Sequence, residues 1–206
     1  MRKIAIFVEG DTELIFVRHL LLKLFDNNIL KFECIRLLSG GKTDRTPFDF
    51  SSPNPEIYFQ VINVGNDYRV LTAIKDREKR LIANTFDTII GLRDMYSQKY
   101  KELSSSIDES VTRQLIDESN EIIRKTNNPS KIKLHFAIME IEAWFLAFHN
   151  LFEKIDRRLT VEFIKDRLCF DLQEIDPQKE FFKPSSELTQ IFKLINRKYK
   201  KSKSDA

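Results

Sequence analysis

Acidic side chains follow three of the apolar segments that this sequence predicts to be strands. Glu9 ends the run IAIFV, and Glu13 lies four residues further on. Asp94 comes directly after TIIGLR, and Glu140 and Glu142 follow HFAIM. Carboxylates brought close together repel one another, so such a set requires protons, basic partners or a hard divalent cation. Mg²⁺ and Mn²⁺ favour oxygen ligands of this kind.

A parallel sheet would bring these acids to one edge. Five apolar segments are typical of strands, and helical patterns lie between them. They are IAIFV at 4–8, FECIRLL at 32–38, IYFQVINV at 57–64, FDTIIGL at 86–92 and KIKLHFAIM at 131–139. This alternation predicts an α/β, Rossmann-like fold with a mostly parallel central sheet and helices on both faces. In such sheets ligands bind outside the carboxyl ends of the strands, which is where the acids lie.

The chain of 206 residues is long enough for one sizeable core and a smaller appendage. We predict an α/β domain over 1–150. Residues 151–206 are predicted to form a helical extension packed on it, ending in the basic tail NRKYKKSKSDA. Helical patterns also cover 67–84 and 99–125, the second with a break at the serines 104–106. The segment SGGKTDRTPFDFSSPNPE is rich in turn formers and predicts a long surface loop.

The stretch EGDTE predicts a turn and the start of a helix. Gly10 is expected to let the chain turn sharply after Glu9, so that a helix begins at once. Asp11 is the natural N-cap of that helix, and Glu13 lies in its first turn, where the helix dipole favours an acid. The alternative for each strand-end acid is a structural role, as a helix cap or as the partner of a lysine or arginine.

Four short motifs in order carry a resemblance to a known family. EGDTE after a strand resembles the first motif of the TOPRIM domain, and its second acid is similar to that of the OLD-type nucleases. A nearer likeness is to small stand-alone TOPRIM-like proteins, in which EGxTE is followed by GGK, DxY and ExEAWxL. This sequence has GGK at 40–42, DMY at 94–96 and EIEAWFL at 140–146. The resemblance spans residues 4 to about 148.

The resemblance implies a nuclease that hydrolyses phosphodiesters of DNA or RNA with Mg²⁺ or Mn²⁺. Glu9, Glu13 and Asp94 would be catalytic residues and metal ligands. In TOPRIM domains an Asp-x-Asp motif holds magnesium, but here Tyr96 replaces the second aspartate. Glu140 or Glu142 would then supply the missing carboxylate. The two share a face on an extended backbone and diverge on a helix, so the choice depends on where the strand ends.

Lys42 on the GGK loop is the fourth catalytic candidate, because a lysine could stabilise charge on the reacting phosphate; the alternative is a solvated loop lysine. SGGK lacks the leading glycine of a P-loop, so we predict no ATPase activity in this chain. One helix carries five cations with two acids between them. It is either a solvated mixed face or a surface that follows phosphates. The cations are Arg69, Lys75, Arg77, Lys79 and Arg80.

The bulk composition restricts partners and location. Net charge is +3 and the isoelectric point is near 8.7, which permits nucleic acid as a partner without requiring it. The two cysteines lie far apart and predict reduced thiols in a cytoplasmic protein. We expect no signal peptide and no membrane span. The family resemblance adds an ABC/AAA-type ATPase as a partner and a role in phage or plasmid defence. The alternative function is a non-catalytic TOPRIM-like module that binds such an ATPase or nucleic acid.

Overall fold

The computed structural model describes residues 1–66 and 69–199. Its strands are β1 (Arg2–Val8), β2 (Leu30–Leu37), β3 (Thr43–Arg45), β4 (Phe50–Ser51), β5 (Ile57–Asn63), β6 (Thr88–Asp94) and β7 (Ile132–Ala137). Its α-helices are α1 (Asp11–Leu24), α2 (Arg69–Ala83), α3 (Gln98–Leu103), α4 (Glu109–Arg124), α5 (Glu142–Ala147), α6 (Asn150–Ile155), α7 (Val161–Leu168), α8 (Pro177–Glu180) and α9 (Pro184–Lys193). No helix in the described ranges is long and apolar enough to cross a membrane.

The strands form a mostly parallel sheet in the order β3-β2-β5-β1-β6-β7, with β4 also paired to β2. Strand β1 is parallel to β5 and β6, and β5 is parallel to β2. The short strands β3 and β4 are antiparallel to β2. The predicted α/β fold with a mostly parallel sheet is therefore confirmed. The long loop predicted after β2 is wrong in one respect, because parts of it pair with β2 as β3 and β4.

Helices α1 and α2 cover opposite faces of the sheet around β1, β2 and β5. The connection from β1 to β2 and the connection from β5 to β6 leave in opposite directions, so right-handed crossovers place α1 and α2 on opposite faces. On one face, α2 packs its apolar side on Ala5 and Phe7 of β1. On the other face, α1 buries Leu14 and Val17 and contacts β2 and β5.

Glu78 of α2 is buried, although the sequence places it among cations on a helix predicted to be solvated or phosphate-facing. Its side chain is 1% exposed. Its two carboxylate oxygens accept hydrogen bonds from the backbone and side-chain amides of Asn127 and Asn128, which lie just after α4. Glu78 therefore anchors the turn that leads into β7.

The chain forms two compact units that interleave along the sequence. Among the described residues, the first comprises Met1–Arg93 and Ile116–His135, and the second comprises Asp94–Leu115 and residues 136–199. The predicted boundary near residue 150 remains a prediction. In the second unit the helices after α5 enclose an apolar cluster around Leu146, confirming C-terminal helices.

Several predicted boundaries shift. The strand predicted over 131–139 ends at Ala137, and Met139 has a φ of 64°. The predicted break at the serines lies between α3 and α4, as expected. Asp67, at the predicted start of α2, and the end of the basic tail from Lys200 lie outside the described residues.

Candidate functional site

The turn that follows β1 holds Glu13 tightly against its own backbone. Glu9 is half-buried after β1, and Glu13 is 5% exposed on the first turn of α1. A Cβ atom added at Gly10 would lie 2.9 Å from Oε2 of Glu13. Gly10 itself is extended, with φ −149° and ψ −171°, a conformation open to any residue. A side chain at position 10 would therefore make the Glu13 carboxylate shift, while the extended backbone gives no support to the expected sharp turn.

Asp11 does not cap α1, because Gly10 occupies the N-cap position and Asp11 is the first helical residue. The Asp11 carboxylate instead accepts hydrogen bonds from the Arg36 guanidinium at 2.9 and 2.7 Å, and from Nδ2 of Asn63 at 2.7 Å. The hydrogen bond and the charge of Asp11 raise the pKa of Arg36. Asp11 therefore ties β2 and the end of β5 to the start of α1.

Arg36 and Asn63 are polar residues of this region that the sequence analysis missed. Asn63 is the last residue of β5 and is 3% exposed. Its Oδ1 also accepts the backbone N–H of Gly65 at 2.8 Å. A polar residue at the end of an apolar strand was the available signal, and it is the same signal that identified Glu9.

In the second unit, Asp94 is the last residue of β6 and is 8% exposed. Its Oδ1 accepts the backbone N–H of Ile141 at 3.0 Å. The next residues of the DMY motif continue strand-like bonding, since Met95 donates to the carbonyl of Ala137 and Tyr96 to that of Met139. Asp94 is thereby fixed to the chain segment that carries the EIEAWFL motif.

Glu140 and Glu142 diverge because the chain is already helical between them. Ile141 has φ −59° and ψ −23°. Glu140 is 6% exposed, and its Oε2 accepts the backbone N–H of Ser185, in the first turn of α9, at 2.8 Å. Glu142 has no exposed surface, and its Oε1 accepts the Tyr199 hydroxyl at 2.9 Å. Both acids are buried, and each has a different neighbouring element.

The GGK loop is shaped by its glycines. Gly40 and Gly41 have φ of 71° and 77°, in the left-handed region that favours glycine. The Lys42 side chain is exposed, and it forms no ion pair with any residue the structure describes. The backbone conformation of the loop therefore explains both glycines. Lys42 is compatible with a catalytic role and with that of a solvated loop lysine.

The predicted site residues thus form two groups, Glu9 and Glu13 in the first unit and Asp94, Glu140 and Glu142 in the second. Their carboxylate oxygens are the donor type that Mg²⁺ prefers. Among residues 1–66 and 69–199, no cluster of three or more His, Cys, Asp or Glu side chains is arranged to hold a metal ion. Mg²⁺ commonly takes one or two carboxylates and completes its shell with water and substrate phosphates, so the donor chemistry fits without such a cluster.

The fold and these residues define an α/β protein with a mostly parallel sheet and buried acids at or after the ends of β1, β6 and β7. The chain belongs to the family described as domain of unknown function DUF4276, whose model matches residues 8–205. Comparisons with curated proteins and with solved structures found no match.

Proposed function

We propose that this protein is a divalent-metal-dependent nuclease of TOPRIM type, which hydrolyses phosphodiester bonds of DNA or RNA. The observation that carries the proposal is the burial of Glu13, Asp94, Glu140 and Glu142 at or just after strand ends. Burying a carboxylate costs several kcal/mol unless charges or hydrogen bonds compensate it, so four such positions in one small protein call for a reason. The resemblance of four motifs to those of small TOPRIM-like proteins points to metal-dependent phosphodiester chemistry as that reason.

In this proposal each residue has a stated role. Glu9 and Glu13 would hold Mg²⁺ or Mn²⁺ in the first unit, and Asp94 with Glu140 or Glu142 would do so in the second. The bound metal would supply Lewis-acid activation of water and of the phosphate. Asp11, held by Arg36 and Asn63, would position the start of α1 and so the Glu13 carboxylate. Lys42 would stabilise negative charge on the phosphate.

The test uses an amide substitution that preserves local hydrogen bonding. Asp94→Asn keeps an Oδ1 atom to accept the Ile141 N–H, removes the charge and replaces the other oxygen by an NH₂ group. We expect it to reduce Mg²⁺- or Mn²⁺-dependent cleavage of DNA and RNA by about 100-fold or more, in a protein that circular dichroism shows to be folded. Glu56→Gln, at an exposed position, is the control and should cleave at the rate of the unsubstituted protein. Equal cleavage by both variants would refute the assignment of Asp94.

Metal binding is measured separately, by calorimetric titration of Mn²⁺ into the protein without nucleic acid. Binding that is weakened by Glu13→Gln, and not by Glu56→Gln, supports the site of the first unit. No binding at millimolar Mn²⁺ would reject a metal site formed by these carboxylates alone. The metal would then have to bind together with the substrate phosphates, which the cleavage assay tests.

A second candidate function is a non-catalytic module that binds a partner ATPase of the ABC/AAA type or nucleic acid. The observation that favours it is structural: Asp94, Glu140 and Glu142 each accept a hydrogen bond from a backbone N–H or a hydroxyl group. Such acids can be retained to hold elements together. The absence of a second aspartate at Tyr96 points the same way. For either function we propose a cytoplasmic location and a role in phage or plasmid defence.

A further inference from the structure

A polar groove lies in the first unit, away from the acids of the EGDTE turn. Its volume is about 450 Å³. One wall is formed by β2, β3 and β5, and the other by the C-terminal half of α2. Helix α2 does not cover the whole of this sheet face. Glu33, Tyr58 and Gln60 therefore line the groove.

Three arginines line this groove, against one carboxylate. Arg45 comes from β3, and Arg77 and Arg80 come from α2, one turn apart. The carboxylate is Glu33, which already has partners. It accepts hydrogen bonds from the Tyr58 hydroxyl and, at 3.2 Å, from Nε2 of Gln60, and it lies 3.6 Å from the Arg45 guanidinium.

Arg77 and Arg80 are compensated less directly than Arg45. Within the described ranges, neither forms an ion pair with an acidic side chain. The Arg77 guanidinium donates to the carbonyl of Gly41, at 3.3 Å, and so faces the GG turn. Burial and the positive charges of Arg80 and Arg69 lower the pKa of Arg77, and they outweigh the negative charge of Asp76, which raises it. The groove therefore carries positive charge that its own residues leave unbalanced.

The groove also offers contacts for a ring. Tyr58 and Phe86 lie together in its lining, with ring centroids 5.9 Å apart. Gln60 and Asn84 add side-chain amides, which can donate and accept hydrogen bonds. Sites for small molecules have volumes of roughly 300–1,000 Å³ and combine apolar surface with a few polar groups, so the groove has the size for a single nucleotide.

We propose that this groove binds a nucleoside phosphate, with its phosphate groups on Arg77 and Arg80. The planar guanidinium fork matches a phosphate oxygen pair, which a lysine at the same position would not. The sugar and base would lie toward Tyr58, Gln60 and Asn84. This inference is independent of the metal-dependent nuclease activity, because none of the proposed metal ligands lines the groove.

The experiment is a calorimetric titration of the full chain with ATP, AMP, pyrophosphate and adenosine, in buffer containing EDTA. Chelation removes divalent metals, so failure of the nuclease proposal would leave this result unaffected. We expect ATP and AMP to bind, pyrophosphate to bind more weakly, and adenosine not to bind. Arg77→Gln and Arg80→Gln should each weaken ATP binding by about tenfold or more.

Lys79→Gln is the matched control, since it removes one positive charge from the same helix at an exposed position outside the groove. It should bind ATP as the unsubstituted protein does. Equal loss in Lys79→Gln and Arg77→Gln would overturn the proposal in favour of general charge attraction. Binding of an oligonucleotide that depends on Arg77, without binding of ATP or AMP, would overturn the mononucleotide and assign the groove to a nucleic-acid backbone.

Discussion

Replacing Glu78 by glutamine removes one acceptor oxygen from a carboxylate that holds a turn by four hydrogen bonds. Each oxygen of Glu78 accepts one backbone and one side-chain N–H. Oε2 is bonded to Asn127 at 3.1 and 3.2 Å, and Oε1 is bonded to Asn128, with the side-chain bond at 3.0 Å. Glutamine keeps one acceptor oxygen and places an NH₂ group against the remaining N–H donors.

The size of the effect follows from those contacts. A hydrogen bond to a charged group contributes about 1.5–3 kcal/mol, so the loss of two gives a destabilisation of about 3–6 kcal/mol for Glu78→Gln. That is a large part of the roughly 5–15 kcal/mol that stabilises an ordinary domain. Asp76→Asn, two residues earlier on the exposed side of α2, should change the free energy of unfolding by about 0.5 kcal/mol or less.

The pH dependence gives a second, independent check. Burial alone would raise the pKa of Glu78, but the hydrogen bonds from Asn128 and Asn127 outweigh it and hold the pKa below its usual value of 4.5. A carboxylate with a depressed pKa stabilises the folded state above its unfolded pKa, and this stability is lost as pH falls through the folded value. The gap between the unsubstituted protein and Glu78→Gln should therefore be constant near neutral pH and narrow below about pH 4.5.

Urea unfolding followed by circular dichroism, from pH 7 to pH 3, measures both quantities. A Glu78→Gln protein within about 1 kcal/mol of the unsubstituted protein at pH 7 would refute the role of this carboxylate, because two lost bonds cannot cost so little. A gap that stays constant down to pH 3 would refute the ionised state assumed for it.

Three further outcomes are expected. Gly10→Ala should displace the Glu13 carboxylate and lower metal binding as Glu13→Gln does, measured by the same Mn²⁺ titration; unchanged affinity would show that the close approach has no function. Thr85→Gly should raise the unfolding free energy by about 0.5–1 kcal/mol, because a β-branched residue has a φ of 64° there. Cys169, which is exposed, should react with a thiol reagent at pH 8 before the first absorbance reading after mixing. Buried Cys34, whose pKa is raised to about 12 mainly by burial, should react only on unfolding, and two fast thiols would contradict this.

The sheet was predictable because its signals are local. Apolar runs mark β1, β2, β5, β6 and β7, and the turn after β1 contains its own acids. The predictions that failed concern residues whose partners lie far along the chain. Asp11 was predicted as an N-cap, but its carboxylate serves Arg36, 25 residues away, and Asn63, 52 residues away. Glu78 has the flanking charges of a surface residue, and nothing nearby in sequence indicates that Asn127 and Asn128 surround it.

For the acids of the site, too, part of the arrangement was predictable from the sequence and part was not. That Asp94 and Glu140 follow strands was evident from the apolar runs before them. Which way Glu140 and Glu142 face was not, because it depends on where the helix begins to within one residue. Ile141, which is already helical, decides this, and Met139 just before it has a positive φ that no glycine or asparagine in its sequence context indicates.

The interleaving of the two units bears on how the protein emerges during synthesis. The apolar cluster of the first unit includes Ile123 and Ile132, so it cannot close until the ribosome has passed that segment, by which time part of the second unit has been made. A nascent chain halted anywhere before residue 116 would lack Ile123 and Ile132, which complete that cluster. Proteins truncated there are therefore expected to be captured by chaperones or degraded.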